Sequence, residues 1–168
     1  MELLLGCGSS RVKKLHEPGN KEFKQLVTLD YNEDHEPDVV HDLEIFPYPF
    51  KHDAFDEIHA YEVLEHTGNQ GDYRFFFKQF EELYRILKPN GKLYASVPAW
   101  DNVWALGDPS HKRVLSHASL VFLCQDEYEK QVGKTPMSDY RFCYQGNFDI
   151  LHQQYKDGMF FFILKAIK

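Results

Sequence analysis

The chain has 168 residues, of which 43% are hydrophobic, 15% aromatic and 27% charged, the make-up of a single globular domain over 1–168 with its own core. Its 19 Lys and Arg face 26 Asp and Glu, a formal charge of −7 that argues against attachment to nucleic acid by broad phosphate neutralisation. No apolar run approaches the ~20 residues of a membrane span. Three cysteines without C-x-x-C spacing, and an acidic Glu2 in place of a basic leader, predict a soluble, reducing, cytoplasmic setting.

In chain order, Glu2 to Leu5 predicts a strand stopped by the tight loop Gly6-Cys7-Gly8-Ser9-Ser10. Arg11 to Lys24 is polar and holds Pro18-Gly19, leaving room for a short helical piece at most. Gln25 to Asp30 predicts a second strand and Asp38 to Asp42 a third, each ending in an aspartate. Phe46-Pro47-Tyr48-Pro49-Phe50 is irregular by its prolines, and Phe55 to Val63 predicts a fourth strand running into Leu64-Glu65-His66. Tyr73 to Leu87 carries Phe76, Phe77, Phe80, Leu83, Tyr84 and Leu87 as one apolar stripe of helical period.

Lys88-Pro89-Asn90-Gly91 should end that helix with a turn, before a fifth strand over Lys92 to Val97. Pro98 to Arg113 is expected to be an irregular loop. Ser119 to Val132 is expected to be helical, with Ser116 or Ser119 as cap. Tyr140 to Phe148 and Met159 to Ile167 are the late strand candidates, joined around Asp157-Gly158 as an antiparallel edge hairpin. The alternation predicts an α/β layer fold with a mainly parallel sheet. Ligands in such sheets sit beyond the carboxyl ends of the strands, where strand order reverses.

The residues at those strand ends suit a nucleoside. Gly6 and Gly8 let backbone approach a ligand closely. Asp30, with Tyr31 beside it, can accept hydrogen bonds from a ribose diol, and Asp42 can accept one from an exocyclic amine. Tyr61 and Glu62 follow on the same rim. Each feature alone is more often a turn or a strand-ending charge; their order along the chain makes the case. A nicotinamide site would want a third glycine near position 11, where Arg11 stands instead.

Five segments carry a family resemblance: Leu3-Leu4-Leu5-Gly6-Cys7-Gly8, Val27 to Asp30, Asp38 to Leu43, Phe55 to His66, and Leu83 to Leu93 with its Leu-Lys-Pro-Asn-Gly-Lys core. In these the chain resembles the class I S-adenosylmethionine-dependent methyltransferases, and more narrowly the small ones that begin Leu-x-Leu-Gly-Cys-Gly. The resemblance implies a Rossmann-like three-layer sandwich with a mostly parallel sheet of about seven strands and an antiparallel last strand. It implies S-adenosyl-L-methionine as cofactor, with Gly6, Cys7 and Gly8 beneath its methionine part. Asp30 and Tyr31 would meet the ribose, Asp42 and Leu43 the adenine, and Tyr61 and Glu62 the methionine end. The family often has an acid where this chain has Leu4 and a small glycine at Ser10. Its members usually carry helices ahead of the first strand. The expected fold here lacks those N-terminal helices, which would leave an open site or one covered by a second copy or a partner chain.

For the chemistry, His111 is the candidate general base by type, in a segment Gly107 to Arg113 that resembles a His-x-Arg element of the group. Trp100 and Trp104 could wall an acceptor, and a small molecule is the preferred one. Glu62 and His66, with Glu65 between them, lack a His-Glu-x-x-His pattern and a thiolate, so no metal is expected. The competing expectation is a non-catalytic S-adenosylmethionine-binding or assembly protein on the same fold.

Overall fold

A computed structural model describes residues 1–168. Seven strands, β1 (Glu2–Leu5), β2 (Leu26–Asp30), β3 (Val39–Val40), β4 (Phe55–Tyr61), β5 (Leu87–Pro98), β6 (Phe148–Lys156) and β7 (Met159–Ala166), form one sheet in the order β3-β2-β1-β4-β5-β7-β6. The first five are parallel where they pair, and β7 runs antiparallel between β5 and β6. The order reverses beside β1, which pairs with β2 on one edge and β4 on the other.

One face of the sheet carries the main core. Leu3, Leu5, Ile58, Ala60, Leu93, Ala95, Phe160 and Phe162 are buried there against α1 (Tyr73–Ile86). The helix starts where the Asp72 carboxylate accepts from the Phe75 amide at 3.0 Å. It buries Phe77, Phe80, Leu83 and Ile86, each worth about 1.5–3 kcal/mol of apolar burial. That packing, more than helix propensity, holds the helix.

The other face is unlike a helical layer. The extended segment 9–24 crosses it without forming a helix, over a small cluster of Leu4, Cys7, Tyr61 and Tyr94. What fastens the segment is charge. Lys13, with a fully buried side chain, sits 3.2 Å from Glu2 and 2.8 Å from Glu57. Glu57 also accepts from Asn20 at 2.8 Å and pairs with His59 at 3.0 Å, and His59 stacks on Tyr94. Burial alone would raise the Glu57 carboxyl, but hydrogen bonds from His59 and Lys13 outweigh it and draw it down to about 2.

Four sequence expectations are corrected. The stretch Ser119 to Val132 is two helices, α3 (His117–Val121) and α4 (Gln125–Gln131), the labels following α2 (Val103–Gly107). The break lies where Leu123 plunges into the core and its carbonyl accepts from the Phe148 amide and the Tyr144 hydroxyl, 2.9 and 3.2 Å away. Ser116 caps α3. The loop Pro98 to Arg113 contains α2, begun by the Asn102 side chain accepting from the Trp104 amide at 2.9 Å. Tyr140 to Phe148 is not a strand. Tyr140 and Tyr144 pack beside Phe77 from an irregular turn, and the strand is Phe148–Lys156. Finally, β5 begins at Leu87, and Lys88 to Gly91 forms a bulge inside it, with the register jumping from Phe55↔Leu87 to Glu57↔Lys92.

Candidate functional site

At the switch point, the loops after β1, β2, β3 and β4 enclose a cavity of about 540 Å³, within the range of small-ligand sites. Of the residues expected there, Gly6, Gly8, Asp30, Tyr31, Asp42, Leu43 and Glu62 line it. Cys7 and Tyr61 do not. Period-2 alternation turns Tyr61 onto the second face with His59, where the Tyr61 hydroxyl and His59 Nδ1 are 2.7 Å apart and the hydroxyl donates to the Leu15 carbonyl at 3.0 Å. The Cys7 side chain is buried in the same layer, and burial pushes its thiol up.

The glycine loop owes its shape to both glycines, for different reasons. Gly6 has φ +56° and so close an approach to the chain after β4 that a Cβ would lie 2.3 Å from Val63 Cγ2. Gly8 has φ +51° and open space where a Cβ would be. Its amide donates to Asp30 Oδ2 at 2.9 Å, tying the loop to the end of β2.

Asp30 is 4% exposed, and its second oxygen accepts from the Asn32 amide at 2.9 Å. Burial opposes its ionisation, yet those two amides and His35 hold the carboxyl below the ordinary range. Two of its four acceptor positions are therefore committed to backbone, with His35 standing 3.3 Å away. Asp42 Oδ1 accepts from the Glu44 amide at 2.8 Å; Oδ2 is free for a ligand. Glu62, at φ +55°, is clasped by Lys14 at 2.9 Å.

Sequence reading missed three features of this site. Arg11 Nη1 donates to the Gly8 carbonyl at 2.7 Å and Nη2 to the His35 carbonyl at 2.9 Å, fastening two rims together. Glu44 accepts from the Gly68 amide at 2.7 Å and from Lys112 at 2.8 Å. The Lys112 bond is the main reason its carboxyl is held low. The link joins the loop after β3 to the one after β5. Third, Glu65 is 2% exposed, neither carboxylate oxygen has a hydrogen-bond partner, and burial pushes the group up to about 7. None of these has a sequence signal, because the Arg11–His35 and Glu44–Lys112 links join residues far apart in the chain and the burial of Glu65 depends on the loops folded over it.

His111 lies outside the cavity lining. Its Nδ1 is 2.8 Å from the Trp104 carbonyl, and its ring packs edge-on to His66, which does line the cavity. Nearby, Trp100, Leu106, Val114 and His117 border a second cavity of about 520 Å³. Trp100 and Trp104 are 62% and 63% exposed, and Val103 and Leu106 stand open beside them. No helix is long and apolar enough to cross a membrane.

A sequence profile described as a methyltransferase domain matches residues 3–95. No curated protein matches the chain. Among solved structures it is similar to a chain in the complex of the Haloferax volcanii Trm112 methyltransferase activator with a methyltransferase (16% identity, 99% of this chain and 82% of that one, TM-score 0.62). It is also similar to a SAM-dependent methyltransferase from Archaeoglobus fulgidus (15% identity, 98% and 85%, TM-score 0.57). A third is the N-methyltransferase NodS from Bradyrhizobium japonicum WM9 in complex with S-adenosyl-L-homocysteine (12% identity, 99% and 78%, TM-score 0.58). These likenesses extend the shared fold over nearly the whole chain.

Proposed function

The chain belongs to the methyltransferase domain family, with S-adenosylmethionine as its methyl donor, and from that premise we propose that the cavity beyond β1 to β4 holds this cofactor and serves methyl transfer to a small-molecule acceptor. The observation that supports this reading is the convergence of Gly6, Gly8, Asp30, Asp42 and Glu62 on one cavity of about 540 Å³. The residues fit the cofactor. Gly8 leaves open room for a ligand against backbone, and Asp42 presents a carboxylate oxygen with no other duty.

The glycine loop, including the Cys7 backbone, would lie beneath the methionine part, and Glu62 at its amino end. Asp30 and Tyr31 would meet the ribose once His35 gives way, and Asp42 with the Leu43 backbone the adenine. Tyr61 contributes only by holding residues 14–15 in place. The cofactor supplies a methyl group on a sulfonium, open to in-line displacement. The chain's part is to orient donor and acceptor.

Calorimetry tests the reading. Micromolar binding of S-adenosylmethionine and of its demethylated product is expected. Asp42→Ala should weaken it by about 1–3 kcal/mol, the scale of a lost hydrogen bond to a buried donor. No binding of either would overturn the site. Binding without transfer to any acceptor in a labelled-methyl screen would favour the non-catalytic alternative.

The exposed apolar residues Trp100, Val103, Trp104 and Leu106 support one addition: a partner chain or second copy covers them in the working form, and a chain of similar fold is found in complex with an activator in the Haloferax structure. Light scattering on the purified chain distinguishes a self-associating form from one awaiting a partner. Three free cysteines fit a cytoplasmic location.

A further inference from the structure

We propose that Glu65, His66 and His111 form a binding site for one divalent transition-metal cation, beside the cofactor cavity. The three ligand atoms lie within 4.8 Å of one another. A tetrahedral cation bonded at about 2.0–2.2 Å holds its ligands about 3.4 Å apart, so the three groups must close by up to about 1.4 Å to share one ion. Glu65 comes from the turn that follows β4, and His111 from the loop after α2, 45 positions beyond His66.

Two further observations point to a ligand. The first is the Glu65 carboxylate, 2% exposed with neither oxygen partnered and no ion pair. Such a group is costly in a protein interior unless a cation compensates it or a proton neutralises it. Arg113, buried nearby, spends its Nε on the Leu64 carbonyl and Nη2 on Thr67 and Gln79, while its buried Nη1 has no partner, so a cation at Glu65 competes with a turn of the carboxylate toward that nitrogen.

The second is that the surroundings set both imidazoles as ligands. His111 Nδ1 faces the Trp104 carbonyl at 2.8 Å and so must carry the proton. Ser110 Oγ gives its only hydrogen to Asp108 Oδ1 at 2.6 Å, so at its 3.1 Å contact with His66 Nδ1 it accepts. Both Nδ1 atoms are donors, which leaves both Nε2 atoms with lone pairs. Fixing the second nitrogen by a carbonyl or hydroxyl is how metal-binding histidines are oriented. Asp108 Oδ2, 3.9 Å from His111 Nε2, can join as a fourth ligand.

Two imidazoles with one or two carboxylates suit Mn²⁺, Fe²⁺, Co²⁺ or Zn²⁺ rather than a thiolate-loving ion. His66 and Ser110 line the cofactor cavity, so the cation would stand where an acceptor oxygen could bind it and become more acidic. That role rests on the methyl-transfer reading. The cation site does not.

Co²⁺ titration of the chelator-treated protein, followed by visible absorption, is the test. One equivalent should bind with bands of a nitrogen and oxygen site and raise the melting temperature. His66→Ala and His111→Ala should each weaken binding at least tenfold. Glu65→Gln, close in shape and free of buried charge, should fold at least as well while losing the metal-dependent rise. No stoichiometric Co²⁺ binding, or affinity unchanged in both histidine variants, would overturn the site. The latter result would mean that Glu65 is a neutral acid or turns to Arg113. Calorimetry with S-adenosylhomocysteine on metal-free protein reads the cofactor site separately, so either proposal can fail alone.

Discussion

Replacing Lys13 with methionine is expected to cost about 3–5 kcal/mol of stability, the scale of breaking a buried ion pair from one side. The Lys13 side chain is fully buried between Glu2 and Glu57, whose side chains are only 8% and 17% exposed. Methionine fills much of the same volume, so the loss reports charge rather than a cavity. Glu57→Gln in the same chain should restore part of it, because fewer uncompensated carboxylates remain. Urea unfolding at pH 7 measures both. A loss under about 1 kcal/mol, as for an exposed pair, would mean that water reaches the network and that segment 9–24 stands off the sheet.

The same network makes acid the weakness of this fold. Glu57 sits at about 2 when folded against an ordinary 4.5, so its contribution is complete above pH 4.5 and is lost as pH falls toward 2. The shift corresponds to about 3 kcal/mol at most. Burial lowers His59, so the folded chain takes up its proton less readily than the unfolded one. As pH falls through about 6.5 the unfolded chain takes that proton before the folded one does. Both effects therefore erode stability as acid is added, the histidine first. Stability measured at pH 7 and pH 5 should fall, and His59→Gln should shrink that difference. The consequence reaches the site, because the segment that Lys13 anchors also carries Arg11 on the glycine loop and Lys14 on Glu62.

Much of the frame was legible because its signals are local. A strand closed by Gly-Cys-Gly, a strand ending at Asp30, a third strand before Asp42 that proves to be only Val39–Val40, and an apolar stripe in 73–87 each declare themselves within a few residues. Strand β6 did not. As the outer strand its residues beyond Ile150 are exposed on both faces, so no apolar alternation marks it, while the aromatic Tyr140 and Tyr144 nearby imitated a strand. Tyr61 was placed on the rim by its position, although alternation from the core-facing Ala60 already turns it away. The Lys13 network and the meeting of Glu65, His66 and His111 were invisible for one reason. They join positions brought together only by the crossing of loops over the sheet.

Gly6→Ala should reduce stability more than Gly8→Ala, whose alanine bears only the backbone strain, and both should lower cofactor affinity. A side chain at position 6 would suffer the left-handed backbone, about 1–2 kcal/mol, and a collision with Val63, about 1–3 kcal/mol of overpacking. Val63 is branched at Cβ and cannot swing aside: the added carbon would lie 2.3 Å from its Cγ2 and 2.8 Å from its Cβ. Relief by moving the chain after β4 would displace Glu62 and Val63, both of which line the cavity. The second-site variants separate the two causes. Val63→Ala leaves the 2.8 Å contact in place and should rescue little, while Val63→Gly removes both contacts and should leave only the backbone strain. At Gly8 the φ is equally positive but nothing lies within 4 Å, so alanine meets no collision and instead projects a methyl group beside the ligand's path. Denaturant unfolding paired with S-adenosylhomocysteine calorimetry on the four variants resolves this. Equal stability losses at positions 6 and 8 would show that strain alone shapes the loop and that the packing of Gly6 on Val63 plays no part.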